Sequence, residues 1–245
     1  MQPAPPTPPA IVTPAPSDAP SPSPLPSATQ RAGPWIAAAR PWSTQAWLAQ
    51  HDAFVARARQ GNVDVLFLGD SIAAFFATRG KDVWDREIAP LGNVADFGIS
   101  GDRTQFVLWR IQHGELDGTN ARVVVVMIGT NNLASASPES VARGVASIVD
   151  VVRTKLPGAV IVLNALLPRG DPGDPLRSKL NDVNARIATL ADGTHVRWLD
   201  AGAGFVDSDG TIPLALMPDK LHPSPAGYEV WATALRPVLL DALSK

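Results

Sequence analysis

The chain holds no cysteine, and that single absence removes disulfides, thiolate nucleophiles and sulfur-ligated metal sites together. It leaves the redox compartment open, because exported proteins also do without cysteine. Histidine is scarce, at four residues, and no two of them stand at metal-ligand spacing. An excess of basic charge is missing as well: 21 Lys and Arg against 23 Asp and Glu leave a net charge of -2. No basic stripe is available to hold a phosphate backbone, so nucleic acid is not an expected partner. No run reaches the roughly 18 consecutive apolar residues of a membrane-spanning helix. The opening Met1-Gln2-Pro3-Ala4-Pro5-Pro6 lacks the basic-then-apolar layout of a signal peptide.

What is present divides in two. Residues 1–33 are mostly Pro, Ala, Ser and Thr, a composition that buries too little surface to offset the entropy of ordering. They read as a disordered tail or linker of polyproline II character, and a tether of this kind suits an exported protein held off a surface. Residues 34–245 belong to a chain that is 45% hydrophobic, enough for one sizeable core. Here Val65-Leu66-Phe67-Leu68, the Val123 to Ile128 run and Val160-Ile161-Val162-Leu163 are short continuous apolar runs, which suit parallel strands covered on both faces. Asn93 to Phe97 and His195 to Leu199 add two weaker strands. Helices are expected over residues 44–59, 103–112, 138–156, 176–190 and 226–243. Ser43 or Thr44 can cap the first, and Pro237 should kink or interrupt the last. Strands alternating with helices imply right-handed crossovers and a three-layer α/β/α fold.

Four polar clusters follow apolar runs: Gly69-Asp70-Ser71, Gly98-Ile99-Ser100-Gly101-Asp102, Gly129-Thr130-Asn131 and Asp219-Lys220-Leu221-His222. Together they supply the parts of a serine esterase. Ester cleavage by a hydroxyl needs a nucleophile, a base, a group that orients the base, and donors for the oxyanion. Ser71 is assigned as nucleophile, His222 as base and Asp219 as the residue that holds the imidazole. The backbone N–H groups of Ser71 and Gly101 and the side-chain amide of Asn131 are the oxyanion donors. Each piece alone has a plainer reading: Ser71 as a helix cap, Asp219 and His222 as loop residues bonded to backbone, Gly101 and Asn131 as turn formers. Asp70 reads as an orienting or capping residue. Asp102 is expected to bond nearby backbone, with no catalytic role. His51, His113 and His195 read as structural, and Trp84, Trp109 and Trp198 as core.

The clusters resemble the four blocks of the SGNH (GDSL-type) hydrolases, with Ser71, Gly101, Asn131 and His222 standing at the letters of that name. Further segments, among them Trp47 to Val55, Val107-Leu108-Trp109-Arg110, Gly114-Glu115-Leu116, Leu166 to Gly170 and Gly204 to Gly210, are similar to the catalytic-subunit branch of platelet-activating-factor acetylhydrolases. The resemblance covers roughly residues 44–243. It implies a flavodoxin-like five-stranded parallel sheet, no metal or organic cofactor, and hydrolysis of short acyl esters. It also places Ile72, Thr130 and Leu221 around the acyl group, where bulky or branched side chains favour acetyl. Asp96 stands where these relatives usually carry Asn, and Ser100 where Gly is common; both flank the oxyanion loop. The Pro-rich tail has no counterpart, and with the Ala-, Arg- and Pro-heavy composition it makes acetylated carbohydrate a reasonable substrate class. Two rivals remain at this point: an O-acyltransferase using the same acyl-enzyme, and a catalytically silent module binding carbohydrate or a protein partner. Monomer and homodimer are equally open.

Overall fold

The computed structural model describes residues 33–40 and 44–245. The tail reading, for all but its last residue, and the Ser43 cap lie outside the described residues. Five strands form one all-parallel sheet: β1 (Val65–Gly69), β2 (Val94–Asp96), β3 (Val123–Met127), β4 (Val160–Asn164) and β5 (Val196–Leu199), in the spatial order β2-β1-β3-β4-β5. β1 is in register with both neighbours, Val65 lying beside Val94 on one side and Val123 on the other. This is the doubly wound order of flavodoxin-like sheets.

Strand periodicity explains why the apolar runs are unbroken. Successive side chains point to opposite faces, so Leu66, Leu68, Val124, Val126, Ile161 and Leu163 join one core while Val65, Phe67, Val123, Val125 and Val162 join another. Helices cover both. The first core is closed by α1 (Thr44–Arg59), α4 (Thr104–Arg110), α5 (Pro138–Lys155) and α6 (Pro175–Ala188). The second is closed by α2 (Ser71–Ala74), α3 (Lys81–Val83) and α7 (Pro225–Leu243). Each fully buried Val, Leu or Phe contributes about 1.5–3 kcal/mol of transfer free energy, so side chains facing both ways double the yield of every strand.

α5 follows its sequence signals closely. Ser137 accepts the Ser140 N–H, Pro138 opens the first turn, and Val141, Val145, Ile148 and Val152 are buried on one face. α7 runs from Pro225 to Leu243 as one helix with Pro237 inside it, so of the two expected effects of that proline the interruption does not occur. Pro237 and Thr233, whose carbonyl loses a partner, are both exposed, so water replaces the missing hydrogen bond. α2, α3 and the π-helical turn Trp84–Ile88 lie where no helix was expected. α7 starts beside the polar loops and ends at the far edge of the sheet, where Arg122, the residue before β3, donates to the Leu243 carbonyl. No helix among the described residues is long and apolar enough to cross a membrane.

Candidate active site

Ligands of doubly wound sheets sit beyond the carboxyl ends of the strands, where the strand order reverses. Here that point lies between β1 and β3, and the clusters gather around it. β1 ends at Gly69, and Asp70 caps α2 by accepting the Ile72 N–H at 3.0 Å, which leaves Ser71 as the first helical residue. Tyr228 of α7 fixes this turn from below, its buried hydroxyl donating to the Ile72 carbonyl at 2.8 Å. Burial raises the Tyr228 phenol well above its ordinary range, with the charge of Arg79 opposing it.

His222 reaches the turn from the loop that leads into α7. Ser71 Oγ and His222 Nε2 are 2.9 Å apart, and His222 Nδ1 lies 2.7 Å from Asp219 Oδ2. The other oxygen of Asp219 accepts the backbone N–H groups of Leu221 and His222, at 3.1 and 2.7 Å. Lys220 takes a left-handed backbone, φ 56°, to bend the chain so that one carboxylate serves both. Burial lifts the Asp219 carboxyl, but the His222 N–H and imidazole outweigh it and hold the group below its ordinary range. The Asp219 side chain is 53% exposed and that of His222 20%, so the imidazole is sheltered while the carboxylate bonded to it is wet. Phe75, one turn after Ser71, packs on the imidazole with ring centroids 5.4 Å apart.

The groups assigned from sequence as donors lie on the segments that follow β1, β2 and β3. The N–H groups of Ser71 and Gly101 donate to no backbone acceptor among the described residues. Gly101 has φ +79°, a backbone that disfavours any side chain. Asn131 Nδ2 donates to the Asp102 carbonyl at 2.9 Å and lies 3.4 Å from Asp70 Oδ2. Burial pushes the Asp70 carboxyl up to about 7; the Ile72 N–H opposes this and neighbouring Asp102 adds to it. Asp96 Oδ1 accepts the Gly98 N–H at 2.8 Å, so this departure from the relatives bonds directly into the loop, and burial pushes its carboxyl up to about 6 against that N–H.

Of the residues assigned to the acyl wall, Ile72 and Thr130 are buried and Leu221 is half-buried. Arg169 Nη1 donates to both the carbonyl and the hydroxyl of Thr130, each at 3.1 Å. A cleft of about 300 Å³ opens beside the turn, lined by Arg40, Gln50, Phe75, Thr78 and Ser100 among others.

Asp102 corrects the sequence reading. Its carboxylate bonds side chains rather than backbone: Oδ1 accepts from Trp47 Nε1 and Oδ2 from Arg110 Nε, both at 2.9 Å. The fully buried Arg110 also donates to Glu115 and, at 3.0 Å, to the Phe97 carbonyl. One guanidinium therefore grips both ends of the 98–101 loop, while His51 holds Glu115 at 2.9 Å. Asn132 completes the frame, accepting the Thr104 N–H at 3.1 Å and donating to Gln105 at 3.0 Å. Sequence reasoning assigned no role to Arg110, Glu115 or Asn132; the only signal was that Arg110 and Glu115 fall within segments similar to the relatives. Trp109 is half-buried, stacked on His113 with centroids 4.0 Å apart.

A flavodoxin-like sheet with a hydrogen-bonded Ser, His and Asp at its switch point is the layout of a carboxylic ester hydrolase. The particular group follows from comparison: residues 67–230 match the family model described as "GDSL-like Lipase/Acylhydrolase family", and the chain belongs to that family. It is 40% identical over 200 residues to the human platelet-activating factor acetylhydrolase IB subunit alpha1, covering 81% of this chain and 85% of the relative. In fold it is similar to a GDSL-like lipase from Bacteroides thetaiotaomicron, with TM-score 0.65, 18% identity and 82% and 98% of the two chains covered. It is likewise similar to a catalytic mutant of an acetylxylan esterase from Geobacillus stearothermophilus, with TM-score 0.60, 20% identity and coverage of 75% and 94%.

Proposed function

We propose that the protein hydrolyses short-chain acyl esters, acetyl esters above all, through an acyl-enzyme at Ser71. The observation that carries this is the continuous contact from Ser71 Oγ to His222 Nε2 at 2.9 Å and from His222 Nδ1 to Asp219 at 2.7 Å. In the first step His222 Nε2 takes the Ser71 proton as Oγ attacks the carbonyl carbon, and Asp219 stabilises the imidazolium through the Nδ1–H. The oxyanion accepts from the N–H groups of Ser71 and Gly101 and from Asn131. The Asn131 amide has two N–H bonds; one is spent on Asp102, and the other, in its stretched contact with Asp70, is the one free to turn to the oxyanion. Collapse of the adduct breaks the C–O bond, and His222 returns the proton to the leaving alcohol. Water then repeats the sequence and releases the acid.

Ile72, Thr130 and Leu221 would wall the acyl group, and the pinning of Thr130 by Arg169 favours a small, fixed site. The cleft beside Phe75 and Ser100 would take the alcohol part of the ester, carbohydrate included. Ser71→Ala is expected to lower turnover of p-nitrophenyl acetate by at least about a thousandfold with the melting temperature unchanged. Trapping an acetyl group on the peptide that bears Ser71 would identify the intermediate directly. Retention of turnover in Ser71→Ala would refute the proposal. Side-by-side assays on acetylated xylan, acetylated sialic acid and simple acyl esters, with and without an alcohol acceptor, separate substrate classes and distinguish hydrolysis from acyl transfer.

A further inference from the structure

Residues 33–40 lie outside the 67–230 stretch matched by the family model, yet they are fastened across the oxyanion side of the site as a strap. Thr104 Oγ1 donates to the Pro34 carbonyl at 2.7 Å, and the Ala38 N–H donates to the Gln105 carbonyl at 3.1 Å. The Arg143 guanidinium lies over the Trp35 ring, 4.3 Å from its centroid. Gly144 supplies an independent mark of the same contact. It sits in the interior of α5, where glycine costs about 1 kcal/mol relative to alanine, and a Cβ there would stand 2.4 Å from the Pro34 carbonyl oxygen. The same Cβ would stand 2.6 Å from Thr104 Oγ1, so the helix gives up stability at this position to admit both the strap and the Thr104 hydroxyl that holds it.

The strap ends on the oxyanion loop. Arg40 Nη1 donates to the Ser100 carbonyl at 2.8 Å and is 4.0 Å from Asp102 Oδ1. Arg40 Nη2 occupies the space of a side chain at Gly101, 2.9 Å from where its Cβ would be. One guanidinium thus meets three consecutive residues, 100 to 102, from the outer side, while Arg110 holds the same loop from within. A donor stabilises a developing oxyanion only when it is fixed in place beforehand, and small misplacements cost rate steeply.

We propose that the strap is a working part of the active site and that Arg40 is a positioning residue, fixing the Gly101 N–H where the oxyanion develops. This rests on the reading of Ser71 as nucleophile. The test uses the 245-residue chain carrying Arg40→Gln, Arg40→Lys or Gly144→Val, the last of which pushes away Pro34 together with the Thr104 side chain bonded to it and alters no residue of the Ser71, His222 and Asp219 chain. Three quantities are read: kcat and KM on p-nitrophenyl acetate, the inhibition constant of a trifluoromethyl ketone that forms a tetrahedral adduct with serine, and the melting temperature.

Arg40→Gln should lower kcat on the order of tenfold and weaken ketone binding by the same factor, with KM changed by less than about twofold. Arg40→Lys should recover part of the loss, and Gly144→Val should reproduce it. The assignment is overturned if Arg40→Gln and Gly144→Val keep kcat and ketone affinity within about twofold of the parent, or if kcat falls while ketone affinity does not. Ser71→Ala measured alongside separates the two levels. Strap variants at full activity beside a dead Ser71→Ala sink the strap alone, whereas an active Ser71→Ala sinks the nucleophile.

Discussion

Asp96 shows how one side chain can trade stability for a loop contact. Its carboxylate accepts the Gly98 N–H, but burial raises its pKa from an ordinary 3.8 to about 6. The folded protein therefore binds the proton more tightly than the unfolded chain. Stability falls as pH rises through the window from about 4 to about 6, and the deficit is complete above it. Asparagine can accept the same N–H without titrating. Asp96→Asn should match the parent near pH 4 and exceed it at pH 8 by roughly 2 kcal/mol, allowing for the partial exposure of this residue. Denaturant unfolding at the two pH values checks this, and a difference that stays flat or shrinks with pH would contradict it. The proximity of residue 96 to the Gly98 to Asp102 cluster was legible in the sequence. The burial that gives the substitution its cost was not.

Among the elements, the link between α7 and α2 is the most exposed to test. Tyr228→Phe removes the hydrogen bond to the Ile72 carbonyl and leaves that oxygen buried without a partner, a loss of about 1–3 kcal/mol. Because α2 is only four residues long, it cannot hold its own shape. The variant should lose kcat along with stability, measured by esterase assay and thermal unfolding; unaltered kcat would show that the turn is held by other means. The same reasoning explains which elements the sequence announced. β1, β3, β4 and α5 carry their own signal, as unbroken apolar runs or as a capped amphipathic repeat. α2, α3 and the Trp84–Ile88 turn carry none, since such short helices cannot repay their nucleation alone. They form because Phe76, Trp84 and Ile88 pack against Phe67 and Trp231 from distant segments. At the site, Ser71, His222 and Asp219 were legible because their chemistry sits in short motifs. Arg40 was not, because its partner Ser100 lies 60 residues away, and Arg110 was not, because only the burial of its helix shows that a charged side chain there must find carboxylates.

Across the whole molecule, Arg110 joins the end of β2 to α4 and to the turn that follows it, and through Asp102 and Glu115 it reaches Trp47 and His51 of α1. Arg110→Met would strand two carboxylates in the interior, at about 3–5 kcal/mol, and the loss should appear as a lower denaturant midpoint of the entire fold. An unchanged midpoint would mean that the two carboxylates find other partners. The two ends of the described chain stand in unequal relation to this machinery. Arg40, at the end of the 33–40 segment, bonds the Ser100 carbonyl, whereas α7 runs away from the site over 19 residues, roughly 28 Å at 1.5 Å per residue, to the far rim of the sheet. A resin, fluorophore or fusion partner joined beyond α7 would stand at the opposite end of the sheet from Ser71, so an attachment that spares the cleft belongs there.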